Sequence, residues 1–335
     1  MKKSFILSLF IVQLLSVCCN HTINFDNNSI TGDIVIPEGA TAITYTTTDK
    51  KRVEISRPVR FKPAILFNVY EKGLGVIAID GILQTIPSEA FINLKTLKNI
   101  TFPDGLTAIG LHAFYGCEAL EEVILPQSLT SITKEAFYNC MALKSINLPE
   151  GLTTINESAF YGCNALTEIV FPESVTTIEA QAFQNCVYLS KIVLPRYITT
   201  ISEHCFSGCT RLKSITFYNN ITAIEANAFY NCHNLTTIRL PESIQIVGIN
   251  AFCNCDELTE VILPEGIKEI RYSAFSGCDN LTAVYCKATT PPTCSSAFDS
   301  NNKLTIYVPK ESVDAYKTHR NWSMYASNIV GYDFL

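Results

Sequence analysis

The chain has 335 residues, 47% of them hydrophobic and only 17% charged, with a net charge of −6. Its longest basic run is Lys50-Lys-Arg52, which argues against the clustered Lys and Arg footprint of a nucleic-acid binder. So few charges leave Thr, Ser and Asn to solvate the surface of a large buried core.

At the N-terminus Lys2 and Lys3 precede an apolar run from Phe5 to Leu15, broken only by Ser8 and Gln13. A basic start and an apolar stretch too short to span a bilayer have the form of a secretory signal. Residues 1–18 are therefore set apart from the fold. Leu15-Ser-Val-Cys18 is similar to a bacterial lipobox, with Val17 where a small residue is expected. Two endings stay open: lipidation of Cys18 on an outer-membrane or cell-surface protein, or ordinary cleavage and secretion. No later segment is apolar enough over a long enough run to cross a membrane, so membrane contact is expected only through such an anchor.

Residues 19–74 are rich in Thr, Ile and Val. Ile36-Pro-Glu-Gly-Ala-Thr-Ala-Ile43 echoes Leu148-Pro-Glu-Gly-Leu-Thr-Thr-Ile155 further on. This stretch reads as an N-terminal β cap, with a degenerate copy of the later repeat followed by extra strands.

From residue 75 the chain repeats with a strict period. Cysteine recurs at one fixed step, at Cys117, Cys140, Cys163, Cys186, Cys209, Cys232, Cys255 and Cys278. Phe91 to Phe298 and Leu97 to Leu304 keep the same spacing, which predicts no insertion or deletion between Phe91 and Phe298. In the unit LEEVILPQSLTSITKEAFYNCMA, Val123-Ile-Leu125 alternates as a short strand does and ends at Pro126, which cannot donate to a ladder. Leu129-Thr-Ser-Ile132 suggests a second strand. Before each cysteine stands Gly or Asn, from Gly116 and Asn139 to Asn254 and Gly277. These residues tolerate positive φ best, so a left-handed turn is expected in every coil. One unit cannot bury its apolar face alone, whereas stacked units bury a continuous core. The pattern predicts a mainly β solenoid of 23-residue coils with parallel strands over residues 75–303.

The phrase P-x-x-L-T-x-I-x-x-x-A-F-x-(G/N)-C-x-x-L-x-x-(I/V) resembles the BspA-like leucine-rich repeat family of Bacteroides and related surface proteins. Ala288-Thr-Thr-Pro-Pro292, Leu304-Thr-Ile-Tyr-Val-Pro309, Val313-Asp-Ala-Tyr-Lys317 and Trp322 are similar to that family's closing module. The resemblance implies a leucine-rich repeat solenoid, export and adhesion to host proteins or other cells, with no catalytic motif. Residues 304–335 are expected as a short helical cap, with Trp322 and Ile329 over the last coil. Acidic residues early and lysine late in Lys310–Thr318 suit the helix dipole.

A row with one thiol per coil lacks the four-ligand tetrahedral grouping of a zinc site. Rungs about 4.8 Å apart keep parallel Cβ atoms wider than the roughly 3.8 Å of a disulfide. The eight are expected as a structural ladder of buried free thiols. Leu94 occupies the equivalent place in the first coil and Asn301 in the last, where the rung is expected to meet solvent. Cys286 and Cys294 flank Thr289-Thr-Pro-Pro292, and only geometry decides whether they pair. No G-x-S-x-G, H-E-x-x-H or Gly-rich phosphate loop occurs, so neither a catalytic site, a metal nor a cofactor is expected.

Surface columns remain. Tyr115, Tyr138 and Tyr161 are in register, and Tyr230 occupies the same place after Gln184 and Ser207. They either pack on one another or form a binding strip. A second row, Thr107, Thr130, Thr153, Thr176, Thr199 and Thr222, suits a β face turned to water. From these columns Tyr115, Tyr138, Tyr161 and Tyr230, with Thr130, Thr153, Thr176 and Thr199, are the candidate binding residues for a host or cell-surface protein. Two alternatives are a glycan-binding accessory protein that uses the tyrosines and a scaffold of the cell's own envelope. If Cys18 carries a lipid, Cys18→Ala releases the exported protein into the medium on fractionation. A variant that stays membrane-bound excludes the anchor.

Overall fold

Parallel coils bury their apolar faces only if each returns to the same phase, so that like residues stack on like. The computed structural model describes residues 22–23, 34–299, 301 and 303–334. The signal segment and Cys18 lie outside them. Two rows of parallel strands run along the molecule, as the spacing predicts. The first contains Leu97–Thr101, Glu122–Ile124 and Ser145–Ile146, and later Lys191–Val193 through Thr305–Pro309 to Ile329–Tyr332. The second is a column of two-residue strands such as Ala108–Ile109, Ser131–Ile132 and Thr154–Ile155. Ile132 pairs with Ile109 on one side and Ile155 on the other, so the register returns once in every coil.

Between the rows lies the core. Ten Phe rings, Phe91 to Phe298, stack with centroids 5.0–5.6 Å apart and planes within 12°, within the range for offset aromatic pairs. Leu, Ile and Ala columns fill the rest, fully or nearly fully buried. The column needs a lid at each end. Phe61 meets Phe91 edge-on at 6.3 Å, and Trp322 and Tyr325 close over Phe298 at 6.2 and 5.8 Å.

At the N-terminal end, Thr41–Thr47 pairs antiparallel with Leu97–Thr101 and with Leu74–Ile79, which in turn pairs with Ile65–Glu71. This covers the edge of the first strand row, which would otherwise expose unpaired backbone. The likeness of residues 36–43 to the repeat is therefore one of sequence only. The chain there runs against the coils rather than with them, because it has no Phe and Cys to enter the stack. At the other end Lys310–Ser312 and Val313–Thr318 form a short helical turn.

The constant Phe spacing conceals an irregularity. Glu269 pairs with Thr293, one place beyond Pro292, where a regular coil would put its partner. Ala283 pairs with Thr305, one place short of the regular Ile306. An extra residue thus enters the turn 287–292, one is lost again before Phe298, and a second is lost after Leu304. The longer turn presents carbonyls to the C-terminal cap. Ala288 O accepts from Tyr316 Oη at 2.7 Å, Thr289 O from Ser312 Oγ at 2.8 Å and Pro292 O from Trp322 Nε1 at 2.8 Å.

Each coil turns at two left-handed residues. One is the Gly or Asn before the cysteine, with φ from 55° to 72° between Asn93 and Gly277. The other, four places earlier, is not glycine: it is Glu89, His112, Glu135, Ser158, Gln181, His204, Asn227, Asn250 or Ser273. Asn and Gly alternate at the first position for a reason of space. A Cβ on Gly116, Gly162, Gly208 or Gly277 would lie 2.2–2.4 Å from Oδ1 of the Asn one coil before. The exception confirms the contact: Asn254 follows Asn231, and its Nδ2 donates to Asn231 Oδ1 at 2.9 Å. Gly162→Ala should therefore cost about 1–2 kcal/mol for the left-handed backbone alone. Gly162→Asn should cost less, because Asn tolerates that conformation and its carboxamide can bond to Asn139. Urea unfolding of the two variants checks the order, and equal losses would contradict it.

Candidate functional site

The cysteine ladder is inside the solenoid. All eight side chains from Cys117 to Cys278 are buried and free. Each Sγ donates to the carbonyl of the Phe in the coil before, from Cys117 to Phe91 O at 2.9 Å to Cys255 to Phe229 O at 3.5 Å. The thiol thus fills a small apolar space and also supplies a weak donor. At the last rung Asn301 does the same through Nδ2, 3.0 Å from Phe275 O. It is half-buried and continues the ladder, where the sequence alone suggested a rung ending in water. Cys286 and Cys294 are also free and buried. Cys286 Sγ lies 3.2 Å from Tyr316 Oη, a contact that ties the last full coil to the cap.

Among the described residues no group of His, Cys, Asp and Glu is placed to hold a metal ion, and no helix is long and apolar enough to cross a membrane.

The candidate surface residues occupy two different places. Tyr115, Tyr138 and Tyr161 stack face to face, with centroids 4.7 and 4.4 Å apart and planes within 4°. They are half-buried. The outer ring, Tyr115, is met edge-on by His112 at 5.5 Å, and Tyr161 Oη accepts from Asn185 Nδ2 at 3.0 Å. Stacking covers both faces of the Tyr138 ring and one face each of Tyr115 and Tyr161. Burial first, and then the neighbouring Tyr161 and Tyr115, push the Tyr138 phenol up to about 12. Tyr230 stands three coils beyond Tyr161 and does not join this column.

A charged row borders the tyrosines. His112 Nε2 lies 3.0 Å from Glu135, and Lys134 Nζ lies 2.8 Å from Glu157. Glu179 Oε2 accepts from the backbone N–H of Glu157 at 2.8 Å. Acidic groups outnumber basic ones along this rim.

The threonines are exposed but do not form a flat strand face. Thr130, Thr153, Thr176 and Thr199 each sit one residue before a two-residue strand, which corrects the expected Leu-Thr-x-Ile strand. Several hydroxyls are already engaged along the solenoid. Thr130 Oγ1 donates to Thr107 O at 3.2 Å and Thr176 Oγ1 to Thr153 O at 3.5 Å, beside the amide bonds to those same carbonyls.

A further surface feature has no trace in the regular columns. At the C-terminal end of the first strand row a cleft of about 650 Å³ opens beside Tyr285, Ile262 and Arg239, closed on one side by Tyr332 and Phe334. Tyr285 and Tyr307 stand one place closer than a full coil, and Tyr332 lies in the tail, so no in-register search would align them.

A family model described as the BspA type leucine-rich repeat region matches in six copies, over residues 69–190 and 176–305. The chain is similar to a leucine-rich repeat protein of Bacteroides ovatus of known structure, with 31% identity and a TM-score of 0.64. That match covers 72% of this chain and 61% of the other, so the chain spans less than two thirds of that relative. The pneumococcal vaccine antigen PcpA has 20% identity and a TM-score of 0.53, over 75% of this chain and 70% of its own, a likeness of fold alone. No curated protein matches the chain.

The ladder has a consequence for alkaline stability. Burial pushes the Cys117 and Cys209 thiols from an ordinary 9.0 up to about 12. Such a group is protonated when folded at a pH where the unfolded chain has released its proton. Its stabilising effect is complete below pH 9.0 and is lost as the pH rises through the folded value. The urea midpoint should fall steadily from pH 9.0 toward about 12. A flat profile over that window would contradict the buried ladder.

Proposed function

Because the chain belongs to the BspA-type leucine-rich repeat family, we propose that it is an exported, non-catalytic repeat protein that holds a protein partner on its solenoid surface. Leucine-rich repeat proteins generally bind protein partners, and their solenoid is a non-enzymatic scaffold. The partner is a host or cell-surface protein, bound in the manner of an adhesin. The apolar segment Phe5 to Leu15 supports export, and Cys18 supports a lipid anchor at the cell surface.

One observation carries the choice of partner and place. The Tyr115–Tyr138–Tyr161 column, bordered by His112, Lys134 and three glutamates, has an aromatic centre and a charged rim. Protein interfaces are built in this way, with aromatic residues enriched at the centre and charges at the edge. Stacking also holds the rings in one geometry, so little side-chain freedom is lost on binding. The covered ring faces favour a protein over a sugar at this strip. The acidic excess points to a basic partner surface and an association rate that falls with salt.

Binding of the purified chain to a panel of extracellular-matrix proteins, followed by biolayer interferometry, tests this reading. Replacing all three tyrosines by Ala should weaken the bound partner by about tenfold or more, as for aromatic hot spots. The association rate should drop between low and physiological salt. If the triple variant folds and binds unchanged, the tyrosine column is not the site.

A further inference from the structure

The cleft beside Tyr285 differs in kind from the tyrosine column. Tyr285 and Tyr307 pair in register on adjacent strands and stack at 4.7 Å. Tyr332, from the last strand, meets both edge-on at 5.4 and 5.5 Å, and Phe334 meets Tyr332 at 5.0 Å. Tyr307 therefore covers one face of the Tyr285 ring. The opposite face looks along the row toward Ile262 and Arg239, where side chains on consecutive strands change from aromatic to aliphatic to cationic. Ile262 and Tyr285 both line the cleft and Tyr307 does not. Tyr285 is thus the member of this stacked pair that lines the cleft.

The polar groups around that face are mixed in sign. Arg239 and Glu260 both line the cleft. Thr237 pairs with Glu260 and Arg239 with Ile262, so the two charges sit diagonally on adjacent strands. Among the described residues neither forms an ion pair. The other charges at the rim are already matched, Glu242 by Lys287 at 3.0 Å and Asp333 by Lys310. What remains is one guanidinium, which only donates, and one carboxylate, which only accepts.

We infer that this cleft is a carbohydrate-binding site for a neutral oligosaccharide, with Tyr285 as its aromatic platform. A sugar ring has an apolar C–H face that lies on an aromatic ring and an edge of hydroxyls, each able to donate and accept. The same hydroxyls can satisfy Arg239 and Glu260 without introducing a charge. A singly charged peptide side chain would satisfy one and be repelled by the other. The volume, about 650 Å³, lies within the size range of small-ligand clefts and is far smaller than a protein footprint. The inference is independent of the protein-binding reading, since it uses a different end of the solenoid and none of the residues of the tyrosine column.

The test is a broad array of neutral glycans probed with the full chain. Any hit is then measured by isothermal titration with the corresponding free oligosaccharide. At least one neutral glycan should bind. Tyr285→Ala should weaken it by about tenfold or more, and so should Arg239→Ala and Glu260→Ala, as expected for loss of hydrogen bonds to charged groups. Arg239 and Glu260 are surface residues, so their variants test the site even if Tyr285→Ala unfolds. Tyr138→Ala should leave glycan binding unchanged while it acts on the protein partner. An array without a neutral hit, or a hit that ignores both Arg239→Ala and Glu260→Ala, overturns the inference.

Discussion

Everything in this molecule depends on each coil closing in phase, so that Phe lies on Phe about one strand spacing away. A phase error of one residue would turn the ring out of the column and the polar face in. Phase is set by the two left-handed residues that flank Ala-Phe-x, or Cys-Phe-x at Cys205, in the nine coils from Phe91 to Phe275. They reverse the chain sharply enough to bring the Phe carbonyl under the next coil's cysteine. That carbonyl then accepts two donors, the backbone N–H of the cysteine in its own coil and the thiol of the coil after. Phe137 O, for example, takes Cys140 N at 3.2 Å and Cys163 Sγ at 3.3 Å. Cysteine suits this place because it is small, apolar and still a weak donor. Asn301 shows that the donor matters, because it reproduces the bond with a different group.

A stack with no internal end has two external ones, and the chain treats them differently. The N-terminal end is sealed by an antiparallel sheet that satisfies the backbone edge and by Phe61, which satisfies the ring column. The C-terminal end is sealed by side chains from one short segment. Tyr316, Trp322 and Tyr325 are buried over Phe298, and their polar atoms reach Ala288 O, Pro292 O and Asp299 Oδ1. Buried Tyr and Trp need such partners. The lengthened turn 287–292 supplies two of them. The irregular coil is therefore a device for docking the cap.

The repeat made the solenoid legible from residues alone. Period, strand positions and the Gly or Asn turn could be read because each is repeated, and repetition separates a signal from chance. The second left-handed position could not, since Glu, His, Gln, Ser and Asn share only polarity there. The register shift in the last coil was invisible because an insertion and a deletion cancel between Phe275 and Phe298. Thr130 lies just outside the second strand row although it has the β-branched shape of a strand residue, because its amide and hydroxyl share one carbonyl of the coil before. The N-terminal echo of the repeat misled for a related reason. Residues 36–43 carry the Pro-Glu-Gly phrase without the Phe and Cys that would lock it into the stack. Of the surface, the tyrosine column was visible as a column, but its half-burial was a matter of packing. The cleft was not visible, since its residues come from several strands at unequal spacing.

This division bears on where specificity can reside. A residue present in every coil is committed to the column it forms, and its best contacts are with its own copies. The Phe faces, the thiols, most of the threonine hydroxyls and the faces of the stacked tyrosines are used in this way. A regular surface of this kind offers a partner a uniform track, with shape and charge but little individuality. Distinct recognition requires positions at which the period fails. Three consecutive tyrosines followed by Gln184 and Ser207 make one such place, because the column ends there and acquires a boundary. The C-terminal cleft makes another. There the shortened step sets Tyr285 against Tyr307, and Tyr285 lines the cleft together with Ile262. Arg239 and Glu260 are left without ion-pair partners among the described residues. The same departures that end the stack are those that leave chemistry unspent on it.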